Sequence, residues 1–235
     1  MARVLSKRGL CSRTQAAEWI RAGRVSVDDR VVRDPGFPVR VGCQSVRVDG
    51  HVPVAAGFHY IVLNKPRGLV TTARDDQGRD TVYRCFDGAG LPWVAPVGRL
   101  DKASEGLLLF SNDSGWAARI TAPLTGPSKT YHVQIDRLVG ADLLAALQAG
   151  VEHEGELLHM RSVRLLRAGG RHSWLEVELD EGRNRQIRRM LAAHDIGVLR
   201  LVRIGIGTLP LGELAKGQWR ALLPDEAAAL APLSP

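Results

Sequence analysis

Three segments of the 235-residue chain are polar or charged where a scaffold alone would not need them to be. In Gly98-Arg99-Leu100-Asp101-Lys102-Ala103-Ser104-Glu105-Gly106, a carboxylate stands on a loop that leads straight into the apolar Leu107-Leu108-Leu109-Phe110. A loop carboxylate at the rim of a core can be fixed in place and partly desolvated. The flanking Arg99 and Lys102 favour its ionised form, so Asp101 is a candidate nucleophile. Taken alone, an Asp in a turn more often makes a local hydrogen bond. The second segment, Glu181-Gly182-Arg183-Asn184-Arg185-Gln186-Ile187-Arg188-Arg189-Met190, sets four arginines within seven residues at the expected start of a helix. Cations there oppose the helix macrodipole, and a locally unfavourable placement points to an anionic partner. Helical spacing puts Asn184 and Arg188 on the face of Ile187 and Leu191, directed inward, with Arg185 and Arg189 on a neighbouring strip. The third segment, Asn64-Lys65-Pro66-Arg67-Gly68, ends a strand abruptly, and by itself it reads as a basic turn.

The elements that must position these residues follow from periodicity. Residues 59–64, 106–111, 130–135 and 174–179 read as strands, and 114–120, 141–149 and 184–193 as helices. Several of the strands alternate polar with apolar residues, which favours an antiparallel or mixed sheet over a doubly wound parallel one. The expected fold class is α+β. A separate small unit precedes it. Ser12 followed by Gln15 forms a capping-box pattern that opens an amphipathic helix over residues 13–22, closed by Gly23. The runs 25–27 and 31–32, joined through Asp28-Asp29, predict a tight hairpin. Residues 46–58 read as a linker or an edge strand. The expected division is therefore 1–47, a linker over 48–58, and a larger domain over 59–235.

Composition sets the partner. The chain has a formal net charge of +7, and residues 1–50 hold ten Lys and Arg against five Asp and Glu. A basic head on a nearly neutral body predicts nucleic acid as the first candidate. With 45% hydrophobic and 24% charged residues, wholesale disorder is excluded. No apolar run approaches the length of a membrane span, and the start carries no hydrophobic signal segment, so the expectation is a cytoplasmic protein without a membrane partner. Three widely spaced cysteines predict reduced thiols. No Cys-x-x-Cys pair, histidine pair at i, i+4 or glycine-rich phosphate loop occurs, so no metal or nucleotide cofactor is expected. Asp75, Asp76 and Asp80 could suggest a metal nuclease, but a solvated loop beside Arg74 and Arg79 explains them.

Lys65-Pro66-x-Gly68, Gly98-Arg99-Leu100-Asp101 with Gly106-Leu107-Leu108, Lys129-Thr130-Tyr131 and the segment 181–190 together resemble the RsuA-type branch of pseudouridine synthases. They occur in order and at suitable spacing. Residues 9–13 through 22–27 resemble an S4 RNA-binding domain, which commonly precedes that catalytic domain. The resemblance spans roughly residues 3–222 and implies a mostly antiparallel, mixed-sheet catalytic domain behind a small αβ S4-like head. It also implies isomerisation of uridine to pseudouridine in ribosomal RNA, with no cofactor. Asp101 matches the catalytic aspartate acting at C1′ of the target uridine, Tyr131 the tyrosine that packs on the base, and Arg188 the basic residue paired with the aspartate. Lys65, Arg99, Lys129, Arg183, Asn184, Arg185, Gln186 and Arg189 would bind substrate. Ser12, Arg13, Arg21 and Arg24 would meet RNA from the head. Large-subunit 23S rRNA, free or in an assembly intermediate, is the favoured substrate of an expected monomer. Small-subunit 16S rRNA, or a non-catalytic S4-type ribosome-assembly factor, is the alternative. The hairpin turn Asp28-Asp29, where Asn-Gly is common in S4 domains, sets negative charge beside the expected RNA face.

Overall fold

The computed structural model of the chain describes residues 1–53 and 57–233. In chain order the head comprises α1 (Ala2–Lys7), α2 (Arg13–Arg21), β1 (Val25–Val27), β2 (Arg30–Val32) and β3 (Val46–Val48). Ser12 Oγ accepts from the Gln15 amide at 3.0 Å and caps α2. Asp28 and Asp29 both take positive φ, 47° and 63°, which is the left-handed geometry of a tight hairpin turn. The Asp28 carboxylate is occupied within the fold. Hydrogen bonds from Gln44 and then the Ser45 amide hold its pKa below the usual carboxylate value. β3 pairs antiparallel with β1, so Val46–Val48 is an edge strand, and the sheet of the head runs one residue past the expected boundary at 47. Residues 54–56 of the expected linker lie outside the described residues. Leu5, Ala16, Ile20, Val25, Val27, Val32 and Val46 give the head its own core.

The larger unit contains β4 (Tyr60–Lys65), a 3₁₀ turn over Val82–Phe86, β5 (Ala95–Val97), β6 (Glu105–Ser111), α3 (Ser114–Thr121), β7 (Lys129–Ile135), α4 (Ala141–Ala149), β8 (Val151–His153), β9 (Glu156–Leu158), β10 (Ser162–Ala168), β11 (Ser173–Leu179), α5 (Gln186–Ala192), β12 (Val198–Ile206), β13 (Leu209–Pro210), β14 (Trp219–Ala221) and α6 (Pro224–Leu230). Nine of these strands form one sheet in the order β10-β11-β7-β12-β6-β4-β14, with β13 on β12 and β5 on β6. Among the described residues its ladders are antiparallel except β6 with β12, so the sheet is mixed and the fold is α+β.

The buried pattern explains the strand sequences. On β6, Leu108 and Phe110 pack into a core with Ile187, Met190 and Leu191 of α5, while Leu107 and Leu109 pack with Trp116 of α3 and Leu230 of α6. Both faces are covered, and the strand is accordingly apolar throughout. β7 and β11 bury alternate residues, which matches their alternating sequences. The strands and helices expected from periodicity are present with ends shifted by one or two residues. Outside that expectation lie α1, the 3₁₀ turn, β5, the β8–β9 hairpin, β10, β12, β13, β14 and the C-terminal helix α6.

Candidate active site

Asp101 lies on the loop entering β6, and that loop is fastened from below. The Lys65 ammonium, fully buried at the end of β4, donates to the carbonyls of Asp101 (3.2 Å), Ser104 (2.8 Å) and Pro66 (3.1 Å). Thr71 Oγ1 donates to the Leu100 carbonyl at 2.7 Å, and the Gly68 amide donates to the Lys102 carbonyl at 2.8 Å. The basic turn of the sequence is thus a clamp under the aspartate. Lys65, expected as a substrate-binding residue, is placed beneath the loop and outside the lining of the cavity. Burial, opposed by Asp101 and other negative groups, pushes its pKa down to about 8.

The Asp101 side chain is 36% exposed and faces Arg185, whose Nη1 approaches Oδ2 at 3.4 Å. Arg185 rather than Arg188 makes this contact because α5 begins at Gln186. Arg185 therefore caps the helix in the left-handed region (φ 49°, ψ 30°) and is outside the helical phase assumed from spacing. Arg188 donates through Nη1 to the Val198 carbonyl at 3.4 Å, and its buried Nε has no hydrogen-bond partner. Burial and then Arg185 lower its pKa while Asp101 opposes them, so the two charges lie within electrostatic reach.

Beyond Asp101 opens a cavity of about 450 Å³, within the usual range for small-molecule sites. Its floor is one face of the sheet. Tyr131 on β7 pairs in register with Val177 on β11 and Arg203 on β12, and Lys129 with Leu179 and Ile206. Tyr131, Lys129, Leu179, Leu201, Arg203 and Ile206 all line the cavity. Tyr131 is 8% exposed and presents an aromatic surface on a strand buried on that face. The walls come from the Asp101 loop, the segment after α3 and the arginine segment. Lys129 is half-buried, and burial followed by the charge of Arg203 lowers its pKa. Arg99 stands exposed at the mouth.

The remaining arginines of the cluster are largely committed to the fold. Arg183 lines the cavity but pairs with Glu156 (2.7 Å) and Glu181 (2.8 Å). Arg189, expected to bind substrate, pairs with Glu156 at 2.7 Å and donates to the His153 carbonyl, which ties down the β8–β9 hairpin and places it outside the cavity lining. Gln186 is also structural in its polar contacts. It is buried, its Nε2 donates to the His159 carbonyl at 2.7 Å and its Oε1 accepts from the Arg183 amide at 3.2 Å. Asn184 is exposed and borders a second cavity on the other side of Asp101, with Arg74 and Lys102. In the head, Arg13 and Arg21 are exposed. Ser12 is used as a cap, and Arg24 pairs with Asp49 at 2.5 Å and lies over the Trp19 ring. Asp75 pairs with Arg79 and Asp80 with Arg84, which accounts for the acidic loop.

Two buried charged residues, one on the cavity floor and one just after the Asp101 loop, escaped the sequence reading. Arg203 is 6% exposed on the cavity floor, and Glu105 is 3% exposed with Arg200 and Lys216 on its carboxylate. For Arg203 the available signal was a lone cation on the same strand face as Leu201, in a run that is otherwise apolar on that face.

A mixed sheet thus carries an aspartate loop braced at its rim and an aromatic floor beneath it. Residues 59–193 match the model of the RNA pseudouridylate synthase family, and residues 2–44 match the S4 domain. The chain belongs to the RNA pseudouridylate synthase family, whose members are isomerases. It is 38% identical to an uncharacterized RNA pseudouridine synthase of Mycobacterium leprae, covering 95% of this chain and 89% of the relative. To one of Aquifex aeolicus it is 36% identical, covering 97% and 92%. A crystal structure of a pseudouridylate synthase is similar over 98% of each chain, at 29% identity and a TM-score of 0.67.

Proposed function

We propose that this enzyme converts a uridine of ribosomal RNA to pseudouridine, with the large-subunit 23S RNA favoured, and that Asp101 is the carboxylate acting at C1′ of that uridine. The observation that carries the proposal is the placement of Asp101. It stands at the rim of a cavity floored by Tyr131, with the Arg185 guanidinium at 3.4 Å and Arg188 within electrostatic reach. The flanking guanidinium orients the carboxylate, and its part-exposure at the rim leaves it within reach of a bound nucleotide. The target base leaves its stack and enters the cavity, which costs a few kcal/mol, and Tyr131 returns about 1–3 kcal/mol by packing on its face. Asp101 then acts at the sugar while the detached uracil turns within the cavity and rejoins through C5. Arg99 at the mouth and Arg13 and Arg21 on the S4-like head meet phosphates, and the enzyme works as a monomer. The preference for large-subunit RNA rests on Asp101-Lys102-x-Ser104-x-Gly106-Leu107-Leu108 and Gly217-x-Trp219-Arg220, which resemble the large-subunit members.

The test is a pseudouridine map of ribosomal RNA from cells with and without the gene, by carbodiimide labelling and primer extension. One site is expected to vanish on deletion and to return with the wild-type gene but not with Asp101→Asn, whose RNA affinity is unchanged. Full modification by the Asn variant would remove Asp101 from the chemistry. Loss of a site from another RNA would correct the substrate.

A further inference from the structure

The floor of the Asp101 cavity holds positive charge that the protein itself does not answer. Arg183 is engaged by Glu156 and Glu181, and Arg185 faces Asp101. Arg203 and Lys129 make no ion pair among the described residues, and Asp180 acts on Lys129 only at longer range. Arg203 is nine-tenths buried between Tyr131 of β7 and Gly106 of β6. Its Nε donates to the Leu107 carbonyl at 2.7 Å, while its buried Nη2 has no hydrogen-bond partner. An unanswered guanidinium N–H in a core destabilises the fold, and a native site that retains one calls for an explanation.

Arg203 also lines the cavity, and a partner that reaches it there is a base rather than a phosphate. Phosphates belong to a continuous chain that stays at the mouth, where Arg99 and Arg185 are exposed. Only a flipped base reaches the floor beside Tyr131. We propose that Arg203, seconded by Lys129, contacts the target uracil and stabilises the negative charge that the ring gains when its glycosidic bond breaks. This rests on the reading of Asp101 given above. The C1′–N1 bond breaks with its electron pair going to the ring. C1′ is taken by an Asp101 oxygen, or C2′ gives its proton to Asp101 and a glycal remains. The uracil is then an anion with charge on N1, O2 and O4. After it turns, C5 bonds to C1′ as the carboxylate departs or the proton returns to C2′. The C5 proton leaves and N1 gains one, so product and substrate contain the same atoms. The bound uridine ring is neutral, so a buried cation favours the separated state over the bound substrate and raises the rate rather than the affinity.

The test uses the full-length enzyme on total RNA from cells lacking the gene, grown with or without 5-fluorouracil. Fluorine at C5 makes the uracil anion intrinsically more stable, so the need for a cation at the floor falls. Arg203→Met should slow single-turnover loss of the target uridine by about 10²–10³-fold, with filter-binding affinity within twofold of wild type. On the fluorinated RNA C5 has no proton to lose, so the C5-linked ring instead takes up water across its N1–C6 bond; followed as that mass gain in digested fragments, the deficit should shrink at least tenfold. Arg203→Lys, which keeps the charge, should recover most of the rate. Should Arg203→Met fail to fold, Lys129→Met decides the matter by the same ratio of deficits. The proposal is overturned if the deficit is equal on both RNAs, if affinity falls as far as the rate, or if the Met variant matches wild type. Failure of the Asp101 reading is seen separately, as turnover by Asp101→Asn.

Discussion

Lys65→Met separates two opposed effects of burying an ammonium. In the native state Lys65 is fully enclosed and bonded to three carbonyls, and its pKa falls from 10.5 to about 8. That difference corresponds to about 3 kcal/mol by which the fold disfavours the charged form. Methionine removes the penalty but leaves three inward carbonyls without a donor, at about 1–3 kcal/mol each. At pH 7 the variant should be less stable than wild type by about 2 kcal/mol. The pH dependence follows from the protons bound. Between pH 8 and 10.5 the unfolded chain still holds the Lys65 proton while the folded chain has released it, so wild-type stability rises relative to the variant. The gap should widen by about 3 kcal/mol over that window and stay level below it. Urea unfolding of both proteins at pH 7, 8, 9 and 10 measures this. A constant gap, or one that narrows as pH rises, would show that the three carbonyls solvate the ammonium as well as water does. Turnover is a second readout. Loosening the loop that carries Asp101 by an ångström would lower the rate about 10²-fold, well beyond what the loss of stability explains.

Two further outcomes are expected. Gly106 has φ +101°, and a Cβ there would overlap the backbone carbonyl of Arg203 on the parallel neighbour strand. Gly106→Ala should therefore cost about 3 kcal/mol or more, and a melting temperature unchanged within 2 °C would contradict the close approach of β6 and β12. Arg13→Ala combined with Arg21→Ala should flatten the slope of log affinity against log salt by about 1.5 and leave single-turnover rates at saturating RNA intact. An unchanged slope would show that this face of the head does not meet phosphate.

What was legible in the sequence, and what was not, divides along physical lines. The strand that the Asp101 loop enters and the strand carrying Tyr131 announce themselves because their uniform apolarity or alternation reflects how many faces are buried. Asp28-Asp29 marks its hairpin because aspartate tolerates left-handed backbone. The arginine segment misled because its phase depends on where the helix begins. A start at Gln186 instead of Asn184 frees Arg185 to reach Asp101. Lys65 read as part of a basic turn because nothing local shows that three carbonyls from residues 66, 101 and 104 converge on it. Arg203 was hidden for the same reason, since its meaning depends on Tyr131 and Gly106, which reach it only through strand pairing.

The pairing of β6 with β12 also sets a schedule for the making of the enzyme. The head closes its sheet within the first 51 residues, from contacts near in sequence. The cleft needs β12, whose last residue is Ile206, because Arg203 and Leu201 form part of its floor. At ordinary synthesis rates the intervening stretch takes about ten to thirty seconds to emerge. During that interval the growing chain carries a completed RNA-binding head and an unfinished catalytic cleft, so grip on RNA precedes the power to alter it.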